Sequence, residues 1–198
     1  MCSLKFSLIR LTLALGALGA GAAAYGGDAL PNDAERVSLH ATAPPRVSLD
    51  ATLDSQLPVA DRIIVRKSEH RLYLLKAGEV LRSYRVALGL NPTGQKERSG
   101  DFRTPEGRYM LARRNPRSDY FLSIAVSYPN QQDVRRARRN HWNAGGSIMI
   151  HGQPNQPHMG PDYYEKNDWT DGCIALSDAD MLEVWLLTSD SMPIEILP

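Results

Sequence analysis

The sequence predicts a mainly β domain, a sandwich or partly closed barrel with one or two helices packed at its side. Three observations support this. After Asp61 the chain breaks into short runs rich in β-branched, aromatic and leucine residues. Gly- and Pro-bearing turns separate those runs, and only two segments have the residue pattern of a helix.

The chain starts differently. Residues 1–24 carry Lys5 and Arg10, then an apolar run from Leu11 to Ala24 that ends in small residues. This is the layout of a secretory signal peptide cleaved near Ala24, which directs the mature protein to the periplasm or the exterior. Cys2 precedes the apolar run, the wrong side for lipid attachment. No long apolar run follows residue 24, so the mature chain is expected to have no membrane span. Residues 25–60, with "TAPPRVSLDATLDSQLPVAD", lack steady periodicity and read as an irregular tether.

Residues 61–198 read as the folded domain. Strands are expected at Ile63 to Arg66, Arg71 to Lys76 and Val80 to Leu88, with "KAGEV" a hairpin turn that places Gly78 where φ is positive. "GLNPTGQKERSGDFRTPEGRY" reads as loop. Further strands are expected at Tyr109 to Arg113, Tyr120 to Val126 and Ser147 to His151, and "MPIEIL" closes the chain as another. "NQQDVRRARRNHW" reads as a polar surface helix with Asn130 as N-cap. "SDADMLEVWLLTSD" reads as a second helix, N-capped by Ser177, with Met181, Val184, Trp185 and Thr188 on one face.

Composition excludes some classes. Without Lys5 and Arg10 the chain holds 21 basic and 22 acidic residues, so nucleic acid is not an expected partner. Arg135, Arg136, Arg138 and Arg139 form a local basic cluster, either a solvated helix face or a surface that steers toward anionic polymers.

Losing Cys2 leaves Cys173 without a partner in the chain. A lone cysteine in an exported protein is either an inert small hydrophobe or a reactive thiol. Thiol catalysis needs a thiolate, a base and oxyanion donors. Of the five histidines, His40 lies in the tether and His70 in a turn, which leaves His141, His151 and His158. His151 ends the apolar run "SIMIHG", where a strand fixes its backbone and Gly152 permits close approach of a peptide. Cys173 follows Gly172 and opens "CIALSD", a turn-to-strand position that exposes a nucleophile and aims backbone N–H groups at a developing oxyanion. The two lie 22 positions apart, too far for one helix and compatible with adjacent strands.

"IMIHG", the loop "QPNQPHMGPDYYEKNDWTD" and "TDGCIAL" together resemble the catalytic core of the L,D-transpeptidases, the YkuD-type domain, in a proteobacterial form. "RLYLLKAGEVLRSYRVALG" and "SGDFRTPEGRY" are similar to its opening hairpins and its T-P-x-G segment, so the resemblance spans about residues 61–198. It implies an L,D-transpeptidase-type fold and a cysteine acyltransferase with no cofactor and no metal. Cys173 is then the nucleophile and His151 the general base and acid. The Gly152 carbonyl orients His151, and the backbone N–H groups of Gly172, Cys173 and Asp171 bind the oxyanion. The implied partners are peptidoglycan stem peptides, with a second stem or a lysine of an envelope lipoprotein as acyl acceptor. With water as acceptor the same site gives a murein hydrolase.

Two departures from the family motif stand out: Asp171 replaces its second histidine and Ala175 its arginine. A carboxylate at 171 opposes thiolate formation unless turned away or paired. The arginine lost at 175 has stand-ins at Arg103, Arg113, Arg114 and Arg117, among which the sequence does not choose. Tyr128, His158 and Trp169 each have a substrate-binding reading beside a plain one: strand end, solvated loop and packing. Two other classes stay in view. A zinc hydrolase would draw on His141, His151, His158 and Asp162, without an HExxH motif. An inactive wall-binding module would account for Asp171 and Ala175.

Overall fold

A computed structural model describes residues 58–198. The expected signal peptide (1–24), nearly all of the tether (25–60), Cys2 and His40 lie outside the described residues.

Eight strands and three helices follow in the order β1 (Arg62–Arg66), β2 (Arg71–Lys76), β3 (Glu79–Arg85), β4 (Gly107–Ser118), β5 (Phe121–Val126), α1 (Gln131–Arg139), β6 (Met149–His151), α2 (Pro161–Lys166), β7 (Ile174–Ala175), α3 (Asp178–Leu187) and β8 (Pro193–Leu197). The strands form one sheet in the order β3-β2-β1-β8-β4-β5-β6-β7. Pairing is antiparallel except for β1 with β8 and β6 with β7. The sheet does not close. Single bridges from Ala87 to Ala175 and from Gly89 to Thr170 tie the segment beyond β3 to the β7 end.

Local chemistry accounts for these elements. In β1 the residues alternate, so Ile63 and Val65 are buried between exposed arginines. The β2–β3 turn puts Ala77 and Gly78 at φ 51° and 87°, as a two-residue hairpin loop requires. Asp61 Oδ2 steadies it by accepting the Ala77 N–H at 2.6 Å. The sheet curls around a core that includes Leu72, Leu74, Leu111, Ile124, Ile150, Ile174, Ile194 and Ile196. α3 covers it with Met181, Val184 and Leu187. Ser177 Oγ caps α3 by accepting the Asp180 N–H at 3.1 Å.

Three features differ from the sequence expectation. β4 continues to Ser118, through Pro116, beyond the run expected at Tyr109 to Arg113. Register shifts between Leu111 and Arg114 and between Asn115 and Ser118 are bulges, where a residue without an N–H interrupts no ladder bond. α2 lies in a stretch read as loop. It is six residues long with Pro161 at its start and an Asp162–Lys166 ion pair of 2.7 Å, too short for a periodic apolar face to be legible. α1 has the expected Asn130 N-cap, but it docks through a carboxylate. Buried Asp133 accepts the Tyr109 hydroxyl at 3.0 Å and the Asn130 N–H at 3.0 Å.

Candidate active site

The β6–β7 pair builds the site. Its parallel register sets Ile150 opposite Ile174 and His151 opposite Ala175. Ile150 and Ile174 both face the core. His151, the last residue of β6, and Cys173, immediately before β7, are each one residue away from that core pair and two register positions apart. A rise of about 3.3 Å per residue and a strand spacing of about 4.8 Å put such a diagonal pair about 8 Å apart between Cα atoms.

His151 is buried, with its ring packed against Tyr120 and Trp169 at centroid distances of 4.6 Å and 5.6 Å. Its Nδ1 lies 2.7 Å from the Gly152 carbonyl oxygen. A carbonyl only accepts, so Nδ1 carries the proton and Nε2 is left with its lone pair. Burial pushes the imidazole down to about 4, against a smaller upward pull from the Gly152 bond. The ring is therefore neutral at pH 7. Gly152 has no room for a side chain, since a Cβ there would sit 2.6 Å from Asp178 Oδ1 and 2.9 Å from Phe121 Cβ.

Cys173 is half-buried, and its Sγ lies 3.6 Å from the Ser147 carbonyl oxygen, to which the thiol donates. Burial pushes the thiol above its ordinary value. A backbone hydrogen bond from Met149 opposes this, the Asp171 carboxylate adds to it, and the Lys96 ammonium counters it. The resting pair is thus neutral thiol and neutral imidazole.

The turn before Cys173 is fixed by a residue to which the sequence reading gave no role. Thr170 Oγ1 accepts the Gly172 N–H at 3.1 Å and donates to the Cys173 carbonyl at 2.8 Å. The Gly172 N–H, expected as an oxyanion donor, is thus bonded inside the turn. Gly172 itself has φ 126°, and a Cβ there would meet the Arg103 carbonyl oxygen at 2.5 Å. Arg103 belongs to a loop wound around Asp101, which accepts from Lys96 Nζ at 2.6 Å and from the N–H groups of Glu97, Arg98 and Arg103. Burial pushes the Asp101 carboxyl up, but these donors outweigh it and hold it below its usual range.

The remaining expected residues separate. Trp169 stands at the site: it stacks 6.0 Å from Tyr120 and donates to the Tyr164 carbonyl at 3.2 Å. Tyr128 is buried in the core with its hydroxyl on the Ala144 carbonyl at 2.8 Å, so it offers a substrate no surface. His158 is exposed, as is Asp171. Arg114 is held by Asp190, the Trp185 carbonyl and Thr188. Arg113 and Arg117 are exposed on β4. Arg103 Nη1 donates to the Gln95 carbonyl at 3.2 Å. Among the described residues no three of His, Cys, Asp or Glu converge to hold a metal, so His141, His151, His158 and Asp162 do not form a set. No helix among them is long and apolar enough to cross a membrane.

Comparison with known proteins agrees with this architecture. The family model for the L,D-transpeptidase catalytic domain, YkuD, matches residues 60–196. Escherichia coli K12 YafK, provisionally named an L,D-transpeptidase, is 38% identical over 96 residues, which is 46% of this chain and 37% of YafK. The chain thus aligns with well under half of that relative's length. The solved structure of the helical cell shape determining protein Pgp2 from Campylobacter jejuni superposes with a TM-score of 0.52 at 26% identity, over 68% of this chain and 46% of that one. A mutant of Pgp2 gives 0.53 at 25% identity over the same shares. The order of motifs, the open mainly β sheet and the domain match converge: the chain belongs to the L,D-transpeptidase catalytic domain family.

Proposed function

We propose that the protein is a periplasmic peptidoglycan L,D-transpeptidase in which Cys173 is the nucleophile and His151 the general base. The observation that carries this reading is the His151 Nδ1–Gly152 carbonyl bond of 2.7 Å on a strand adjacent to Cys173. It fixes the tautomer and leaves Nε2 with the lone pair that a general base needs.

The substrate is a tetrapeptide stem with diaminopimelate at the third position. The thiol gives its proton to His151 Nε2 as Sγ attacks the diaminopimelate carbonyl. The C–N bond to the fourth residue breaks, the same proton passes to the leaving amine, and D-alanine departs from a thioester. An amine then attacks the thioester, giving a crosslink between two third-position residues or an attachment to a lipoprotein lysine. Both resting pKa shifts favour neutral groups, so proton transfer accompanies attack and does not precede it. The oxyanion falls to the Cys173 N–H, with the Asp171 N–H beside it. The likeness to Pgp2 supports a role in wall remodelling and cell shape.

The test is incubation with purified disaccharide tetrapeptide and mass analysis of products. Crosslinked dimers with loss of D-alanine are expected. Tripeptide plus D-alanine would make the enzyme an L,D-carboxypeptidase on the same site, and turnover by Cys173→Ser would defeat the mechanism altogether.

A further inference from the structure

Next to the Cys173–His151 strand pair lies a cavity of about 270 Å³, lined by Arg85, Gln153, Glu165, Ala175 and Asp180 among others. Ala175 is the register partner of His151, so the cavity begins on the strand pair that carries the site. Ala175, where the motif has an arginine, lines the cavity, and the arginine in the lining comes from β3.

The lining is chemically divided. Arg85 Nε donates to the Glu165 carbonyl at 2.9 Å, which orients the guanidinium and leaves its two terminal nitrogens for a bidentate carboxylate. The Glu165 and Asp180 carboxylates accept no hydrogen bond and enter no ion pair among the described residues, so the lining carries both signs of charge. Gln153 adds an acceptor. Its Nε2 donates to the Leu176 carbonyl at 2.6 Å and its main-chain N–H to Asp178 Oδ1 at 2.7 Å. A carbonyl partner fixes which end of the amide is nitrogen. Its buried Oε1 is left without a donor, which is costly in a folded protein.

A guanidinium, two carboxylates and an orphaned carbonyl-type acceptor around one cavity match one small ligand chemistry, a zwitterion. We infer that this cavity is a subsite for a zwitterionic α-amino-acid group, with Arg85 taking its carboxylate and Asp180, Glu165 and Gln153 its ammonium. This rests on the function proposed above, where such a group is the free end of the diaminopimelate side chain. A free amino acid carries the same chemistry.

Calorimetry on the full chain with Cys173→Ala separates these sources without turnover. The probes are L-Ala-D-Glu-meso-diaminopimelate, the same peptide with L-lysine in third place, and free meso-diaminopimelate. The diaminopimelate peptide is expected to bind at least about tenfold tighter than the lysine peptide, the size of one charge-assisted pair. Adding Arg85→Ala or Arg85→Gln should erase that difference and leave the lysine peptide unchanged, while Asp180→Asn should weaken both peptides. Free diaminopimelate binding as tightly as the peptide, with the same Arg85 dependence, would assign the subsite to an amino acid. A preference that survives both Arg85 variants, with unfolding temperatures unchanged, would overturn the subsite, as would no binding of any probe. The product assay on the wild-type chain stands apart. Arg85-dependent binding without turnover would defeat the transpeptidase reading alone, and turnover with an Arg85-independent preference would defeat the subsite alone.

Discussion

His151 commits one ring nitrogen to the carbonyl next door and keeps the other for chemistry, at the cost of being buried. That cost has a pH signature. In the unfolded chain the imidazole titrates at 6.5, and in the folded protein at about 4. Between those values the unfolded state binds a proton that the folded state refuses, so stability is highest above 6.5 and falls as pH drops toward 4. The loss is about 3 kcal/mol by linkage. Chemical denaturation across that window should show the fall in the wild type, and His151→Gln should flatten it. Gly172 gives a second test. At φ 126° and against the Arg103 carbonyl, an alanine has neither the backbone conformation nor the space. Gly172→Ala should lose about 3 kcal/mol of stability in thermal unfolding, and alkylation of Cys173 should change rate as the turn shifts. The motif residues at this scale could be read from the chain because Cys173 and His151 are rare types in a characteristic order. Thr170, Tyr120 and Arg85 could not, because their relation to the site comes from a turn and from strand pairing. The alternation that placed residues inside or outside a strand says nothing of which strand lies next door.

The elements divide in the same way. β1, β2 and α3 were visible because apolar residues recur at the period of each structure, and Asn130 and Ser177 mark helix starts that the structure places there. α1 was legible as a helix but not as a docked one. Its mean polarity hides a single inward carboxylate, Asp133, which bonds the Tyr109 hydroxyl and closes the capping box with Asn130. Asp133→Ala should therefore act well beyond a surface change. It leaves the buried Tyr109 hydroxyl without that partner and removes the reciprocal half of the capping box, and about 2–3 kcal/mol of stability should go with it. Hydrogen exchange of the amides in residues 131–139 should speed up before the rest of the domain is affected, and Asp133→Asn should recover part of the loss. Uniform exchange across the domain would show that α1 is not held through this residue.

On the scale of the whole molecule the informative feature is where β8 sits. "MPIEIL" was readable as a strand, but not its position in the middle of the sheet, parallel to β1 and antiparallel to β4. Pairing across more than 80 residues leaves no local trace. Ile194 and Ile196 are buried on both sides by that arrangement. Removing residues 193–198 should divide the sheet into β1–β3 and β4–β7, and circular dichroism and proteolysis should report an unfolded chain. A protein that kept its cooperative melt would refute this. The same placement sets a timetable. A ribosome extends a chain at about 5–20 residues per second, and early segments of many proteins fold while later ones are still being made. Here β8 is made after both strands that it joins, so the two halves of the sheet stay unjoined until it emerges. Until then β1 and β4 each keep an unpaired edge, the kind of edge that pairs with other chains when it is left open.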